Sequence, residues 1–135
     1  MIVVGGHGGR LDHFLANALL LCSSTVASMR IAAFVGQATL TVIHDCAELL
    51  GSRGDLVSLL PIGGPALGVA TVGLLYPLDK EPLHPGTTRG VSNEFALPAA
   101  TVRVEAGTVL AVQPGVAGTH FVRRAFVDER EQRGE

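Results

Sequence analysis

Apolar residues follow a helical period in one part of the chain and form short β-rich runs elsewhere. The first four residues, Met1–Val4, are all apolar and predict a short buried strand. After a GGHGG loop, apolar residues repeat at helical spacing and predict a helix with one apolar face. The residues on that predicted face are Leu11, Leu15, Leu19 and Cys22. The opening segment therefore predicts a strand, a glycine loop and a helix.

The rest of the chain reads as short strands. From Asp45 onward the helical period disappears, and Gly or Pro recurs at short intervals. The runs between these residues are rich in β-branched side chains, which is typical of a sandwich or barrel. The predicted strands cover residues 29–35, 39–43, 56–60, 68–75, 101–105 and 108–113. Beyond Gly115 the chain becomes polar, which predicts a solvated tail.

Composition excludes several classes of protein. The chain is 47% hydrophobic and 16% charged, with a net charge of −2, which indicates a globular protein. The sequence has no basic patch interleaved with aromatic residues, so no nucleic-acid interface is expected. Apolar runs are interrupted well before about 18 residues, so no membrane span is expected. Met1 leads directly into a strand without a charged preamble, which favours the cytoplasm. The two cysteines do not have the spacing of a disulfide framework or a zinc site.

The first candidate site lies where the predicted helix begins. Glycine-loop N–H groups can face phosphate oxygens, Arg10 supplies positive charge, and Asp12 can hold a hydrated magnesium ion. The loop nevertheless matches neither common nucleotide-binding fingerprint. The glycines can also form a structural turn. Arg10 and Asp12 can form an ion pair at the helix end, and His13 can bond to a backbone carbonyl.

The second candidate is the polar segment TTRGVSNE, residues 87–94, between apolar strands. Ser92 and Asn93 offer a hydroxyl and an amide, which can read the edge of a nitrogen heterocycle. Tyr76 can stack on a flat ring. The alternatives are an ordinary turn for Ser92 and Asn93 and plain packing for Tyr76.

Three segments occur together in a characteristic order: GGHGGRLDHFLANALLL, GDLVSLLPIGG and GVATVGLLYPLDKEPLHPGTTRGVSNEF. In this order and spacing they resemble the C-terminal portion of thiamine pyrophosphokinase, from about Met1 to Gly115. The resemblance implies transfer of a pyrophosphoryl group from ATP to the thiamine hydroxyl, with Mg²⁺, in a homodimer. ATP and thiamine are thus the expected ligands, with no nucleic-acid or membrane partner.

The resemblance also implies roles for particular residues. Arg10 and Asp12 match the family's catalytic pair, and Asp12 its metal ligand. The nucleotide loop would comprise Gly6, Gly8, Gly9, Arg10, His13 and Asn17. Thiamine would be held by Tyr76, Ser92 and Asn93.

The predicted fold class is α+β. A remnant of an α/β nucleotide-binding domain (residues 1–46, strand, loop, helix and strands) precedes an all-β sandwich that binds thiamine (47–115) and a polar tail (116–135). Full-length family members carry GDxDS and QDxTD motifs before the glycine loop, and neither occurs here. We therefore expect an N-terminally truncated thiamine pyrophosphokinase that is incomplete as a catalyst. The alternative is a non-catalytic thiamine-binding or interaction module.

Overall fold

The computed structural model describes residues 1–4, 10–23, 26 and 29–115. Its elements are β1 (Ile2–Val4), α1 (Leu11–Leu21), β2 (Ile31–Val35), β3 (Ala38–Ile43), β4 (Cys46–Leu50), β5 (Leu56–Val72), β6 (Glu81–Leu83), β7 (Asn93–Glu94), β8 (Ala99–Arg103) and β9 (Ala106–Gln113). The predicted loop residues Gly6, Gly8 and Gly9 and the predicted tail 116–135 lie outside the described residues.

The strands join in one mostly antiparallel sheet with the order β1-β2-β3-β9-β5-β8-β4. The short strands β6 and β7 pair with β5 away from this path. Among the strands of the described residues, only β1 and β2 pair in parallel, and α1 lies between them in the chain. Residues from β3, β4, β5, β6, β8 and β9 share one core, so the sheet curls around it. The described part of the chain is mostly β with one α-helix. An origin of the β1-α1-β2 unit in a nucleotide-binding domain stays a prediction.

The central strands β3, β9 and β5 are covered on both faces. Val109 and Ala111 of β9 point into the core of the curled sheet, whereas Leu110 points to the opposite face. On that opposite face α1 packs through Ala18, together with residues of β2 and β3. Strands buried on both faces have continuous apolar sequences, which explains the apolar runs of this region.

The helix buries a different face from the predicted one. Leu11, Leu15 and Leu19 are 72%, 50% and 56% exposed, and only Cys22 of the predicted face is buried. The buried or partly buried residues near the sheet are instead Phe14, Ala18, Leu21 and Cys22. Because α1 is apolar on more than one side, its sequence period does not determine which side meets the sheet.

Two predictions about strands are wrong. The first strand is not buried throughout, since Met1 and Ile2 are about half exposed. The predicted strands 56–60 and 68–75 belong largely to a single strand, β5, of 17 residues. Between Ile62 and Leu67 its register to β9 shifts, and residues 70–72 pair with β8 instead. The Gly63-Gly64 pair, at positive φ, allows this irregularity.

The predicted boundary between residues 46 and 47 stays a prediction. Strands β3 and β9, which come from the two predicted domains, pair with each other in the sheet. No helix within the described residues is long and apolar enough to cross a membrane.

Candidate functional site

Three chain segments lie side by side at one end of β5. Strand β7 pairs with β5 through Leu56 with Glu94 and Val57 with Asn93. On the other side of β7, the amide of Leu75 donates to the carbonyl of Glu94 at 2.8 Å. Residues 89–95 therefore run between residues 56–59 and residues 73–76. This arrangement brings Tyr76, Ser92 and Asn93 together, as their combined assignment to one ligand requires.

The side chains of the middle segment alternate between core and solvent. Asn93 and Phe95 are 3% and 1% exposed, whereas Ser92 is exposed and Glu94 is partly exposed. Gly90 has to be glycine, because a Cβ there would lie 2.3 Å from the carbonyl oxygen of Leu59. The close approach lets the amide of Leu59 donate to the carbonyl of Gly90 at 2.8 Å. The segment is thus seated tightly on β5.

The amide of Asn93 holds the backbone of Tyr76. Its Oδ1 accepts from the Tyr76 N–H at 3.0 Å and from the Glu94 N–H at 2.9 Å. Its Nδ2 donates to the Tyr76 carbonyl at 2.7 Å. Three of the four hydrogen-bonding positions of this side chain are therefore occupied by backbone. Direct contact between Asn93 and thiamine stays a prediction, for which one N–H remains.

Ser92 has a left-handed backbone with φ of 57°, which is uncommon for a residue with a side chain. Its N–H donates to Oγ of Ser58 at 3.0 Å. Such conformations persist where the surroundings enforce them, and they are frequent at ligand sites. The exposed hydroxyl of Ser92 is available to a ligand.

Exposed apolar side chains surround these polar groups. Tyr76 is 57% exposed, so the alternative that it merely packs in the core is wrong. Leu56, Leu75 and Val91, on the same three segments, are 47%, 49% and 40% exposed. Neighbouring segments that carry an exposed tyrosine, exposed apolar side chains, a hydroxyl and a carboxylate can form a surface suited to a flat, partly polar ligand.

An ion pair ties the loop before β7 to β6. Arg89 donates from Nη2 to both carboxylate oxygens of Glu81, at 3.0 Å each, and from Nε to Oε1 at 3.3 Å. Glu81 Oε2 also accepts from the Asp79 N–H at 3.3 Å. Glu81 and Ser58 are supporting residues that the sequence did not predict. Neither belongs to a recognisable motif, because each acts through a hydrogen bond to a residue 8 or 34 positions away.

The residues of the first candidate site lie at the beginning of α1. Arg10 is the residue preceding the helix, and its guanidinium bonds to the Asp12 carboxylate at 2.7 and 3.2 Å. This is the ion pair that the sequence analysis gave as an alternative. His13 and Asn17 are exposed on the helix. Asn17 also borders an apolar cleft of about 290 Å³ between α1 and strands β2 and β3.

The described residues do not form a magnesium site by themselves. No three His, Cys, Asp or Glu side chains within the described ranges are grouped as metal ligands. The carboxylate of Asp12 is engaged by Arg10. A Mg²⁺–nucleotide site normally takes one or two well-placed protein carboxylates together with phosphate oxygens. The predicted role of Asp12 as a metal ligand stays a prediction.

Both cysteines are free thiols. Burial raises the pKa of the Cys22 thiol above its ordinary value of 9.0. Because a buried, protonated thiol is a poor nucleophile, Cys22 is a packing residue of the helix.

Comparison with known proteins identifies the part of the chain that carries this surface. The family model of the thiamin pyrophosphokinase vitamin B1 binding domain matches residues 41–109, about half of the chain. The chain belongs to this family. All three segments of the candidate site lie within the matched range, whereas Arg10 and Asp12 lie before it.

Solved structures of thiamine pyrophosphokinases have a similar fold. The enzyme from Bacillus subtilis is 22% identical with a TM-score of 0.75, and the match covers 85% of this chain and 55% of that one. The protein from Geobacillus thermodenitrificans is 25% identical with a TM-score of 0.73, over 87% of this chain and 54% of that one. Yeast thiamin pyrophosphokinase is 21% identical with a TM-score of 0.63, over 83% and 39%. The chain therefore spans about half or less of the length of these relatives.

Proposed function

We propose that the chain binds thiamine on the surface formed by Tyr76, Ser92 and their neighbours in residues 56–59 and 73–76. The observation that carries this proposal is that exposed Tyr76, whose backbone bonds to the Asn93 amide, lies on the segment next to the one that carries exposed Ser92, within the range that matches a vitamin B1 binding domain. Thiamine has two flat rings, one cationic and one an aminopyrimidine with hydrogen-bonding edges. This chemistry suits an aromatic face beside a hydroxyl and a carboxylate.

Each group on the surface has a part in this proposal. The Tyr76 ring stacks on one ring of thiamine, which is stabilised further by attraction between the cation and the aromatic face. The Ser92 hydroxyl bonds to a ring nitrogen or amino group. The carboxylate of Glu94, half-buried beside them, complements the positive charge of the thiazolium.

Comparison of alanine variants at two exposed positions, Tyr76 and Leu67, tests the binding surface. Tyr76→Ala removes the ring and should weaken thiamine binding about tenfold or more, since a desolvated cation on an aromatic face is worth about 2 kcal/mol. Leu67→Ala is the matched control, because Leu67 is similarly exposed (47%) but pairs with Ala106 at the other end of β5. Titration calorimetry measures both affinities. Equal affinity of the two variants and the unmodified chain would refute the proposed surface.

A more specific proposal is that the chain takes part in pyrophosphoryl transfer to thiamine. In it, the thiamine hydroxyl oxygen forms a bond to the β-phosphorus of ATP while the bond from that phosphorus to the α,β-bridging oxygen breaks. AMP leaves with that oxygen, and the hydroxyl proton is released to solvent. Arg10 would neutralise charge on the transferred group, and Asp12 would orient the hydroxyl or bind Mg²⁺, which would supply further charge neutralisation. The homodimer and the cytoplasmic location stay predictions of the same standing.

The second candidate is a thiamine-binding module without turnover. It is favoured by the engagement of Asp12 with Arg10 and by the lack of a metal-ligand group in the described ranges. Calorimetry with thiamine and an assay for thiamine diphosphate formation with ATP and Mg²⁺ separate the two candidates. Turnover that is lost in Asp12→Asn supports the enzyme, and binding without turnover supports the module.

A further inference from the structure

Tyr76 combines a free ring with a fixed backbone. The residue is 57% exposed, yet both its N–H and its carbonyl bond to the buried amide of Asn93. Two residues further on, Leu78 is held by Thr71: the Leu78 N–H donates to Thr71 Oγ1 and the Thr71 N–H donates to the Leu78 carbonyl, each at 2.9 Å. The loop is therefore fixed on both sides of an aromatic ring that has little packing of its own.

Because Asn93 is buried, loss of its hydrogen bonds to Tyr76 costs free energy. Asn93 is 3% exposed, so an amide there without hydrogen-bond partners would lose its bonds to water with no replacement, at a cost in free energy. The adjacent Phe95 and the pairing of β7 with β5 keep this side chain inside, with its amide directed at Tyr76. If Tyr76 moved away, it would leave both the Asn93 oxygen and nitrogen short of a partner. The amide therefore penalises every loop conformation that displaces Tyr76.

We infer that Asn93 is a positioning residue, which holds Tyr76 in place for the ligand rather than reading the ligand itself. This inference rests on the proposed binding of thiamine next to Tyr76. A residue whose backbone is held in its binding position before the ligand arrives loses less conformational entropy on binding. Asn93 thus raises affinity through Tyr76.

The chain offers a direct probe, because Tyr76 is its single tyrosine and it has no tryptophan. Tyrosine fluorescence therefore reports on Tyr76 alone. Asn93→Ala removes all three bonds of the amide. The matched control is Gln113→Ala. Gln113, on β9, is also buried (5%), and its Nε2 donates to the Leu50 carbonyl at 2.9 Å. Both variants lose a buried amide, and only one loses the contact with Tyr76.

Time-resolved anisotropy of Tyr76 needs no ligand. Asn93→Ala should show a larger amplitude of fast depolarisation than the unmodified chain and Gln113→Ala, because the motion of the released loop adds to that of the exposed side chain. An unchanged anisotropy decay in Asn93→Ala would overturn the inference.

Hydrogen exchange on the unmodified chain gives a second test that needs no variant. The Tyr76 amide should exchange more slowly than an unprotected amide, and exchange at the unprotected rate would overturn the inference.

Thiamine binding completes the test. By calorimetry, Asn93→Ala should bind thiamine about tenfold more weakly, whereas Gln113→Ala should stay within about twofold of the unmodified chain. Equal weakening in both variants would assign Asn93 a general structural role and overturn the inference. If the unmodified chain does not bind thiamine, the proposed function fails, while anisotropy and exchange still decide whether Asn93 holds Tyr76.

Discussion

The guanidinium of Arg10 bonds to both oxygens of the Asp12 carboxylate, at 2.7 and 3.2 Å, where α1 begins. The two side chains are 65% and 64% exposed, so water screens their attraction. Asp12 also lies in the first turn of the helix, where a negative charge is favourable. A ligand that needs either residue must compete with this pair.

Asp12→Asn should therefore change stability very little. We expect a loss of at most about 1 kcal/mol in the free energy of unfolding, measured by urea denaturation. The loss should shrink as salt is raised from low to molar concentration. A loss well above that, or one that salt does not affect, would show that Asp12 makes contacts beyond an exposed ion pair.

Gly51→Ala should be clearly destabilising. A Cβ at Gly51 would lie 2.9 to 3.0 Å from ring carbons of Phe95, which is 1% exposed and cannot swing into solvent. Overpacking of this kind costs about 1–3 kcal/mol. The control is Val72→Ala, at a side chain that is 69% exposed, with an expected change within about 0.5 kcal/mol. Equal unfolding midpoints for the two variants would contradict the packing described for Phe95.

The buried thiol of Cys22 should make the stability of the fold depend on pH in the alkaline range. Burial raises the pKa of its thiol in the folded state, so the folded chain holds this proton more tightly than the unfolded chain. Its contribution is complete below pH 9.0, the ordinary value, and is lost as the pH rises through the higher folded-state pKa. The unmodified chain should thus lose stability above pH 9 more steeply than Cys22→Ala, as measured by urea denaturation at several pH values. Parallel curves would show that the thiol titrates alike in both states.

Ser58→Ala removes the acceptor that holds Ser92 in its left-handed conformation. We expect thiamine affinity to fall about fivefold, which corresponds to one hydrogen bond of about 1 kcal/mol. Thr101→Ala, a similarly half-buried hydroxyl on β8, is the control and should bind thiamine normally. Calorimetry measures both, and unchanged affinity in Ser58→Ala would remove Ser58 from the site.

The sequence was sufficient for the positions of most elements and insufficient for their environment. The period of residues 11–22 predicted α1 correctly, but that segment has apolar residues on several sides, and only the sheet determines that Ala18 is the buried one. Gly63 and Gly64 suggested the end of a strand, whereas the structure uses them for a shift of register within β5. The two-residue strand β7 is too short to have a period of its own.

The candidate site shows a similar division. Tyr76, Ser92 and Asn93 are separated by up to 17 residues in sequence, and their residue types alone allowed an ordinary turn or core packing. The family resemblance grouped them, and the fold brings them together. The use of the Asn93 amide on the Tyr76 backbone was not predictable, because it depends on how two loops lie against each other.

Nuclear magnetic resonance on the ¹⁵N-labelled chain tests the central claim, thiamine binding on the Tyr76–Ser92 surface, most directly. During a thiamine titration, the largest amide shift changes should fall at Tyr76, Ser92 and Glu94, and they should saturate together. Residues of β2, three strands from β5 in the sheet order, should change little. No saturable shift at millimolar thiamine, or changes confined to α1, would contradict the account.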